Sequence, residues 1–576
     1  MKKMRFFSLL MILSLLFSVI SCKKKAGVLC DGVFTGEGAG RNGDITVSVT
    51  IEDGKVSDAR IISDNETKEI AALVKDSILE KFKATGTTNG IDVVSGATLT
   101  GNGIIAALNA ALDASEGKAK EQIVYEDSEC DIVIIGAGGA GLVAATEAAS
   151  KGAKTIVLEK MGIVGGNSNF STGGINASYT KEQERLGIKD SPDVFFDDTM
   201  KGGYFLNDPN LVRTLVDKSA EIVEWLQSPM IGADLSDVGM FGGATNKRIH
   251  RPQGGSAIGE HLVPRIHNAA RNQGADIRLR NKVIDILSDG GKACGVRVAT
   301  GTGEYTIKAK AVIIATGGFG ANPDMVALYN PSLTDFDTTN HRGATGDAFK
   351  MVEKFDAALT QMAQIQTHPT VVPGTGIMIT EAVRGNGAIL VSRTGKRFVN
   401  EMETRDVVSA DILAQPGKTA FLVFDQNVRL SLKAIETYAK EGLLVEGSSV
   451  EELAEKLNIP EKEFLNTITT YNNYVKAKKD DDFGRNPKSM ERELVSPPFY
   501  AVECAPAIHH TMGGLKINSK AQVINNVENP IPALYAAGEV TGGVHGGNRL
   551  GGNAVADYCI FGKIAADSAL EYIKDK

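Results

Sequence analysis

CDIVIIGAGGAGLVAATEAASKGAKTIVLEK, residues 130–160, reads as strand, turn, helix and second strand, and the rest of the chain is arranged around what that unit would hold. Residues 132–135 form a continuous apolar run suited to a parallel strand buried on both faces. Gly136, Gly138 and Gly141 follow at G-x-G-x-x-G spacing, with Ala140 between the last two. In that pattern the first glycine permits the tight turn, the second lets the backbone approach a pyrophosphate, and the third lets the helix pack close to the sheet. The unpaired N–H groups at the helix start then stabilise the phosphates without a basic side chain. Residues 154–158 make the second strand, and Glu159 at its end can accept both hydroxyls of an adenosine ribose. Strand, helix, second strand and terminal acid in register argue against an accidental glycine match. The unit is a dinucleotide cradle, and it predicts a Rossmann-like α/β fold.

At 576 residues the chain should hold several domains, and 43% hydrophobic with 23% charged residues describes a globular protein. A net charge of −8 without long basic runs in the body argues against nucleic acid, whose phosphates need clustered Lys and Arg. The six cysteines, at 22, 30, 130, 294, 504 and 559, include no C-x-x-C pair. That spacing excludes covalent c-type haem, a cysteine-ligated iron–sulfur cluster and a zinc ribbon, and no metal site is expected. Cys130 and Cys559 are expected in apolar core.

Residues 1–21 open with Lys2, Lys3 and Arg5 and continue in an apolar run over 6–20, too short and wrongly flanked for a spanning helix. They read as a signal peptide. Val19-Ile20-Ser21-Cys22 resembles the bacterial lipobox, which implies that Cys22 is lipidated and becomes the mature N-terminus, with residues 22–29 as a tether. The expected location is extracytoplasmic, on a bacterial membrane. Ordinary secretory cleavage beside a bystander cysteine is the alternative.

Residues 30–115 alternate apolar and polar positions around Gly-rich turns, then show a helical pattern over 67–83, as a small α+β domain does. Asp92-Val93-Val94-Ser95-Gly96-Ala97-Thr98 resembles the flavinylation motif of FMN-binding domains such as the C subunit of the sodium-pumping NADH:quinone reductase. The resemblance implies that a flavin transferase attaches FMN to Thr98 through a phosphoester. A plain Ser/Thr cap on a helix over 102–114 is a reading that can coexist with it. Residues 116–128 have the charged, small composition of a linker.

Downstream of the cradle, GGNSNFSTGGIN over 165–176 packs two double-glycine turns around small polar residues, so that backbone donors can crowd a flat ring. AVIIATGGF over 311–319, HHTMGG over 509–514 and AAGEVTGGVHGGNRLGGNAV over 536–555 follow. Together these resemble the flavoprotein family of fumarate reductase and succinate dehydrogenase, in its soluble form related to flavocytochrome c. The resemblance implies an FAD-binding domain over 129–359 and 504–576, interrupted by an α+β capping domain over 360–503. It implies non-covalent FAD held at Asn167, Ser168, Thr172, Gly173, Gly174, Val283, Asp347, His510, Glu539, Ala554 and Val555 as well as the cradle. Residues 209–227 read as one amphipathic helix, and no catalytic role is evident between 186 and 274.

The chemical residues complete the resemblance. Arg549 can grip one carboxylate in bidentate fashion, with His509 donating to the same end. His368 in QTHPT, and Met378, Thr380, Glu381 and Arg384 in GIMITEAVRG, match positions of the family, as does Gly173 beside the substrate. His368 and Thr380 would hold the second carboxylate. Arg405 in RFVNEMETRDVVS matches the family's proton donor, with Glu381 and Arg384 as a relay toward solvent. An ion pair of Arg405 with Glu401 or Glu403 is the structural alternative. The flavocytochromes carry haems at the N-terminus, where this chain has the FMN domain, so FMN is expected to relay electrons from a quinol dehydrogenase or cytochrome. The expected activity is reduction of fumarate to succinate. Reduction of urocanate, acrylate or cinnamate, or a non-catalytic flavin carrier, are the alternatives.

Overall fold

The computed structural model describes residues 29–64, 66, 68–93, 97–118 and 123–575. Cys22 with its leader and tether, Val94, Ser95 and Gly96 of the flavinylation motif, and linker residues 119–122 lie outside the described residues. No helix among the described residues is long and apolar enough to cross a membrane.

The first unit is an antiparallel sheet of Gly32–Ala39, Asp44–Glu52 and Lys55–Ser63, covered by helices Lys68–Thr85 and Thr98–Ser115. Ile45, Val47, Val49 and Ile51 alternate along the central strand and bury one face against Ile104, Leu108 and Ala111 of the second helix. The helix starts at Thr98, four residues before the sequence pattern suggested, and its N-cap Ala97 makes no side-chain capping bond. Thr98 is thus the first helical residue and not the N-cap.

Ser128–Ile135 lies between Gly303–Ile314 and Thr155–Glu159, parallel to both, as its unbroken apolar sequence requires. Asp276–Leu279 and Pro530–Ala536 extend this parallel sheet, and the hairpin Lys282–Asp289 with Lys292–Thr300 completes it on one side. Gly139–Ser150 packs against Ile258–Asn272 and the long C-terminal helix Asn553–Lys574, where Cys130 and Cys559 are buried. This is the Rossmann-like α/β core. Residues 209–227 form two helices, Pro209–Asp217 and Ser219–Gln227, not one. The chain turns at Lys218, which closes the first helix and opens the second, so each can bury its own apolar face.

The capping region has its own core and a sheet in the order Ile377–Met378, Ile365–Val372, Phe499–Thr511, Ala420–Asp425, Ile389–Val391. The strand Phe499–Thr511 runs without a break through the expected boundary at 503/504. It starts in the cap sheet and delivers His509 and His510 to the interface with the FAD-binding core. Beside these histidines the ladder is bulged: Gln366 pairs with His510 and Thr367 with Ile508, which leaves His509 as the extra residue. A bulge of this kind re-aims a side chain.

Candidate active site

A cavity of about 690 Å³ runs from the cradle, under the cap, to Thr98 of the first unit. Every site residue named from the sequence lines it except Gly141, Arg384 and Cys22, the last lying outside the described residues. Gly136 has φ +102°, and a Cβ there would meet Ala315 O at 2.4 Å. A Cβ on Gly141 would lie 1.9 Å from Gly136 O, so that glycine sets the packing of helix on turn and does not face the ligand. Above Gly138 the nearest atom is Gly165 O at 3.9 Å, which leaves the helix N-terminus open to a phosphate.

Glu159 is anchored by backbone donors, Ala137 N at 2.9 Å and Met161 N at 2.8 Å, at the end of its strand. Each carboxylate oxygen keeps a lone pair for a ribose hydroxyl. Asn167 donates to Asn340 Oδ1 and Glu539 Oε2 and accepts from His341 N at 2.6 Å, which fixes the flavin loop to two distant segments. Ser168 Oγ accepts from Gly139 N, and Asp347 pairs with Lys160 at 2.9 Å. The open space over Gly138, the helix N-terminus, the terminal acid and the polar loop fit a bound FAD.

The other end of the cavity is built by the cap and the segment before the C-terminal helix. Arg405 heads the helix Arg405–Leu413, and Glu381 and Arg384 share one face of the short helix Glu381–Gly385. Arg405 Nε meets Glu381 Oε2 at 3.0 Å, and Arg384 Nη2 lies 3.8 Å from the same oxygen. Glu381 Oε1 accepts from Gly242 N at 2.9 Å. Burial is the largest influence on Glu381 and opposes its ionisation, but Arg405, Arg384 and that N–H together hold it below the usual carboxylate range.

Arg405 makes no ion pair with Glu401 or Glu403 among the described residues. Glu401 sits instead in a buried cage with Arg397 at 2.7 Å and Arg485 at 3.0 Å, and Arg397 also pairs with Asp480. Removing one partner from such a cage costs about 3–5 kcal/mol, because the remaining charge is left buried. Arg384 is fully buried and donates from Nη1 to Glu401 O, so the relay does not reach solvent at this residue.

Gln366 holds Arg405 and Arg549 together. Its Oε1 accepts from Arg549 Nη2 at 3.0 Å and from Arg405 Nη1 at 3.3 Å, while its Nε2 donates to Asn548 Oδ1 and Arg549 O. Arg549 is buried, forms no ion pair among the described residues, and its Nε has no partner. Burial and then the Arg405 charge push its pKa down, so its charged form gains from any anion nearby.

His368 accepts from Thr370 N at its Nδ1, which puts the ring hydrogen on Nε2, and that atom is buried without a partner. The His368 ring stands edge-on to His509 at 5.1 Å. His509 Nδ1 is 2.8 Å from the Thr339 hydroxyl, which also lies 3.3 Å from Ile508 O; in the tautomer in which the hydroxyl donates to Nδ1, Nε2 carries the hydrogen and can donate to a ligand. Burial, followed by the charge of Arg405, keeps both rings well below the ordinary histidine pKa and thus neutral. Thr380 is fixed by its N–H, which donates to Tyr438 Oη at 3.0 Å. His510 lies 3.7 Å from Glu539 and edge-on to His545, whose Nε2 is 3.2 Å from Asp557.

Gln366, Gly242, Tyr438 and His545 were not singled out in the sequence. Gln366 had a signal, since it lies two residues before His368 on a strand and so shares its face. His545 lies within the glycine-rich stretch 536–555. Gly242, in a stretch read as carrying no chemistry, had none, because its contribution is one backbone N–H.

Residues 131–555 match the family model described as FAD binding domain, and residues 40–113 match FMN-binding domain. The chain is 46% identical over 466 residues to a fumarate reductase (cytochrome) of Shewanella frigidimarina, covering 81% of each. It is 33% identical to a urocanate reductase of Eggerthella lenta, over 94% of this chain and 93% of that protein. Among solved structures, the open conformation of a flavocytochrome c3 fumarate reductase matches with a TM-score of 0.66 at 42% identity, covering 77% of this chain and 79% of that one. With an FMN-binding domain ahead of an FAD-binding core, the chain belongs to the fumarate reductase family of FAD-dependent oxidoreductases acting on CH–CH bonds.

Proposed function

We propose that this protein reduces fumarate to succinate. The observation that carries the reading is the pairing of Arg549, buried without a carboxylate partner, with His368, whose Nε2 is buried and unpaired in the same cavity. Arg549 with His509, and His368 with Thr380, supply donors for two carboxylates. A substrate with only one would leave a set of buried donors unsatisfied, which costs about 1–3 kcal/mol per group.

Bound FAD supplies the hydride for one carbon of the double bond. Arg405 gives the proton to the other carbon. A free guanidinium is a poor acid, so donation depends on return of a proton through Glu381, which touches Arg405 Nε, with Arg384 behind it. Arg549, Thr380 and the two neutral histidine donors, His368 and His509, orient the substrate and disperse its charge without competing for the transferred proton.

The proposal extends to the first unit. Thr98 lies in the first turn of an 18-residue helix and lines the same cavity as the cradle, a place where a phosphoester would meet free N–H groups. FMN attached there by a flavin transferase would pass electrons from a membrane donor, a quinol dehydrogenase or cytochrome. Export and a lipid anchor at Cys22 rest on the sequence of the leader.

A reductase of urocanate, acrylate or cinnamate type is the competing reading, and a urocanate reductase is among the relatives. Steady-state assays with reduced viologen on fumarate, urocanate, acrylate and cinnamate decide between them. Fumarate should have the highest kcat/KM; preference for any of the others overturns the proposal.

A further inference from the structure

The loop of residues 202–207, GGYFLN, joins the helices Pro192–Gly202 and Pro209–Asp217 and touches the start of the Arg405 helix. Tyr204 and Phe205, consecutive non-glycine residues at φ +58° and +57°, close the helix Pro192–Gly202, with Phe205 N donating to Met200 O at 2.8 Å, and the loop they form is held by further contacts. Those contacts run in two directions. Toward the cap, Tyr204 Oη donates to Asp406 Oδ2 and lies 3.4 Å from Thr404 Oγ1, the residues on either side of Arg405. Toward the core, Gly203 O accepts from Gly547 N at 2.9 Å, and Gly202 O accepts from Asn548 Nδ2 at 3.1 Å. Asn207 Nδ2 donates to Val544 O at 2.8 Å. The loop thus grips the residues next to Arg549 with its backbone and those next to Arg405 with one phenol.

We infer that Tyr204 is a positioning residue, a strut from the FAD-binding core to the cap that fixes Arg405 relative to Arg549. The inference rests on the reading of Arg405 as proton donor and Arg549 as carboxylate clamp. Asn548 and Gln366 carry a second, buried connection between the same two arginines, so loss of the strut loosens Arg405 without freeing Arg549. A misplacement of Arg405 acts on proton transfer, whereas substrate affinity depends on Arg549, His368 and Thr380.

The test uses the full-length flavoprotein with reduced viologen and fumarate. Tyr204→Phe keeps the ring and removes the donor; it should lower kcat about tenfold and leave KM within about twofold. Asp406→Ala should match it, the double variant should be no worse than either single one, and Asp406→Asn, which still accepts from the phenol, should retain most activity. Amide hydrogen exchange in Arg405–Leu413 should quicken in Tyr204→Phe without any substrate. Unchanged kcat and exchange in Tyr204→Phe, strictly additive losses, or Asp406→Asn as damaging as Asp406→Ala would each overturn the inference. Wild-type turnover of fumarate is measured in parallel: its absence removes the functional reading, and the exchange measurement still decides whether Tyr204 holds the helix.

Discussion

Arg405 and Glu381 form a buried ion pair, Nε to Oε2 at 3.0 Å, across the floor of the cap. Arg549, about the same cavity, has no such partner. On the proposed mechanism the two cations do different work, and their variants should separate kinetically. Arg405→Ala should depress kcat by about 10²–10⁴ while fumarate still binds, since its contribution arises only as the proton moves. Arg549→Met should raise KM strongly, because the carboxylate it meets is present in ground and transition states alike. Viologen assays with fumarate titrations check both. Near wild-type turnover in Arg405→Ala removes it as donor, and lost binding with normal turnover at saturation makes it a clamp.

Stability should respond to acid through Glu381. Folding lowers its pKa, because its arginine neighbours and the Gly242 N–H outweigh burial. A carboxylate lowered by folding contributes stability that is complete above its unfolded value, about 4.3, and lost as pH falls through the folded value. The melting temperature of wild type should therefore drop on acidification below about pH 4, and Glu381→Gln should lose part of that acid limb. Identical acid limbs in thermal melts of the two proteins would contradict the assignment.

Thr98 should carry covalent FMN when the protein is produced with a flavin transferase. In denaturing gels, flavin fluorescence should follow wild type and vanish in Thr98→Ala. Covalent flavin remaining on the variant would place the attachment elsewhere.

Cys22 should be acylated and hold the protein at the membrane. Stable anchoring takes two acyl chains, and a lipoprotein cysteine carries at least that many. Cys22→Ser should appear in the soluble fraction; a variant as firmly membrane-bound as wild type shows that the anchor lies elsewhere.

The cradle was legible because its information is local. An apolar run, three glycines at fixed offsets and a terminal acid specify strand, turn, helix and strand within 31 residues. Cap and core residues that meet across the cavity were legible only by family resemblance, since Arg405, Arg549 and His368 are brought together by long-range pairing that no periodicity reports. The break at Lys218 escaped because both halves continue one apolar pattern, and the first turn of Thr98–Ser115 escaped because Thr and Gly near its start weaken the helical signal. Gln366, which touches both arginines, shows how a strand position beside a named histidine can be read from alternation alone. Gly242 and the Tyr204 strut depend on backbone geometry and could be found only in three dimensions.

Fumarate reduction at this site moves two electrons and two protons to the double bond. The most direct measurement reduces the purified holoenzyme anaerobically, removes the reductant, and mixes it with a limiting amount of fumarate while flavin absorbance is followed and succinate is quantified. Flavin should be reoxidised within the time of a single turnover, faster than with urocanate, acrylate or cinnamate, with succinate equal to the fumarate added. Flavin that stays reduced with fumarate but is reoxidised by one of the other acids contradicts fumarate as the substrate.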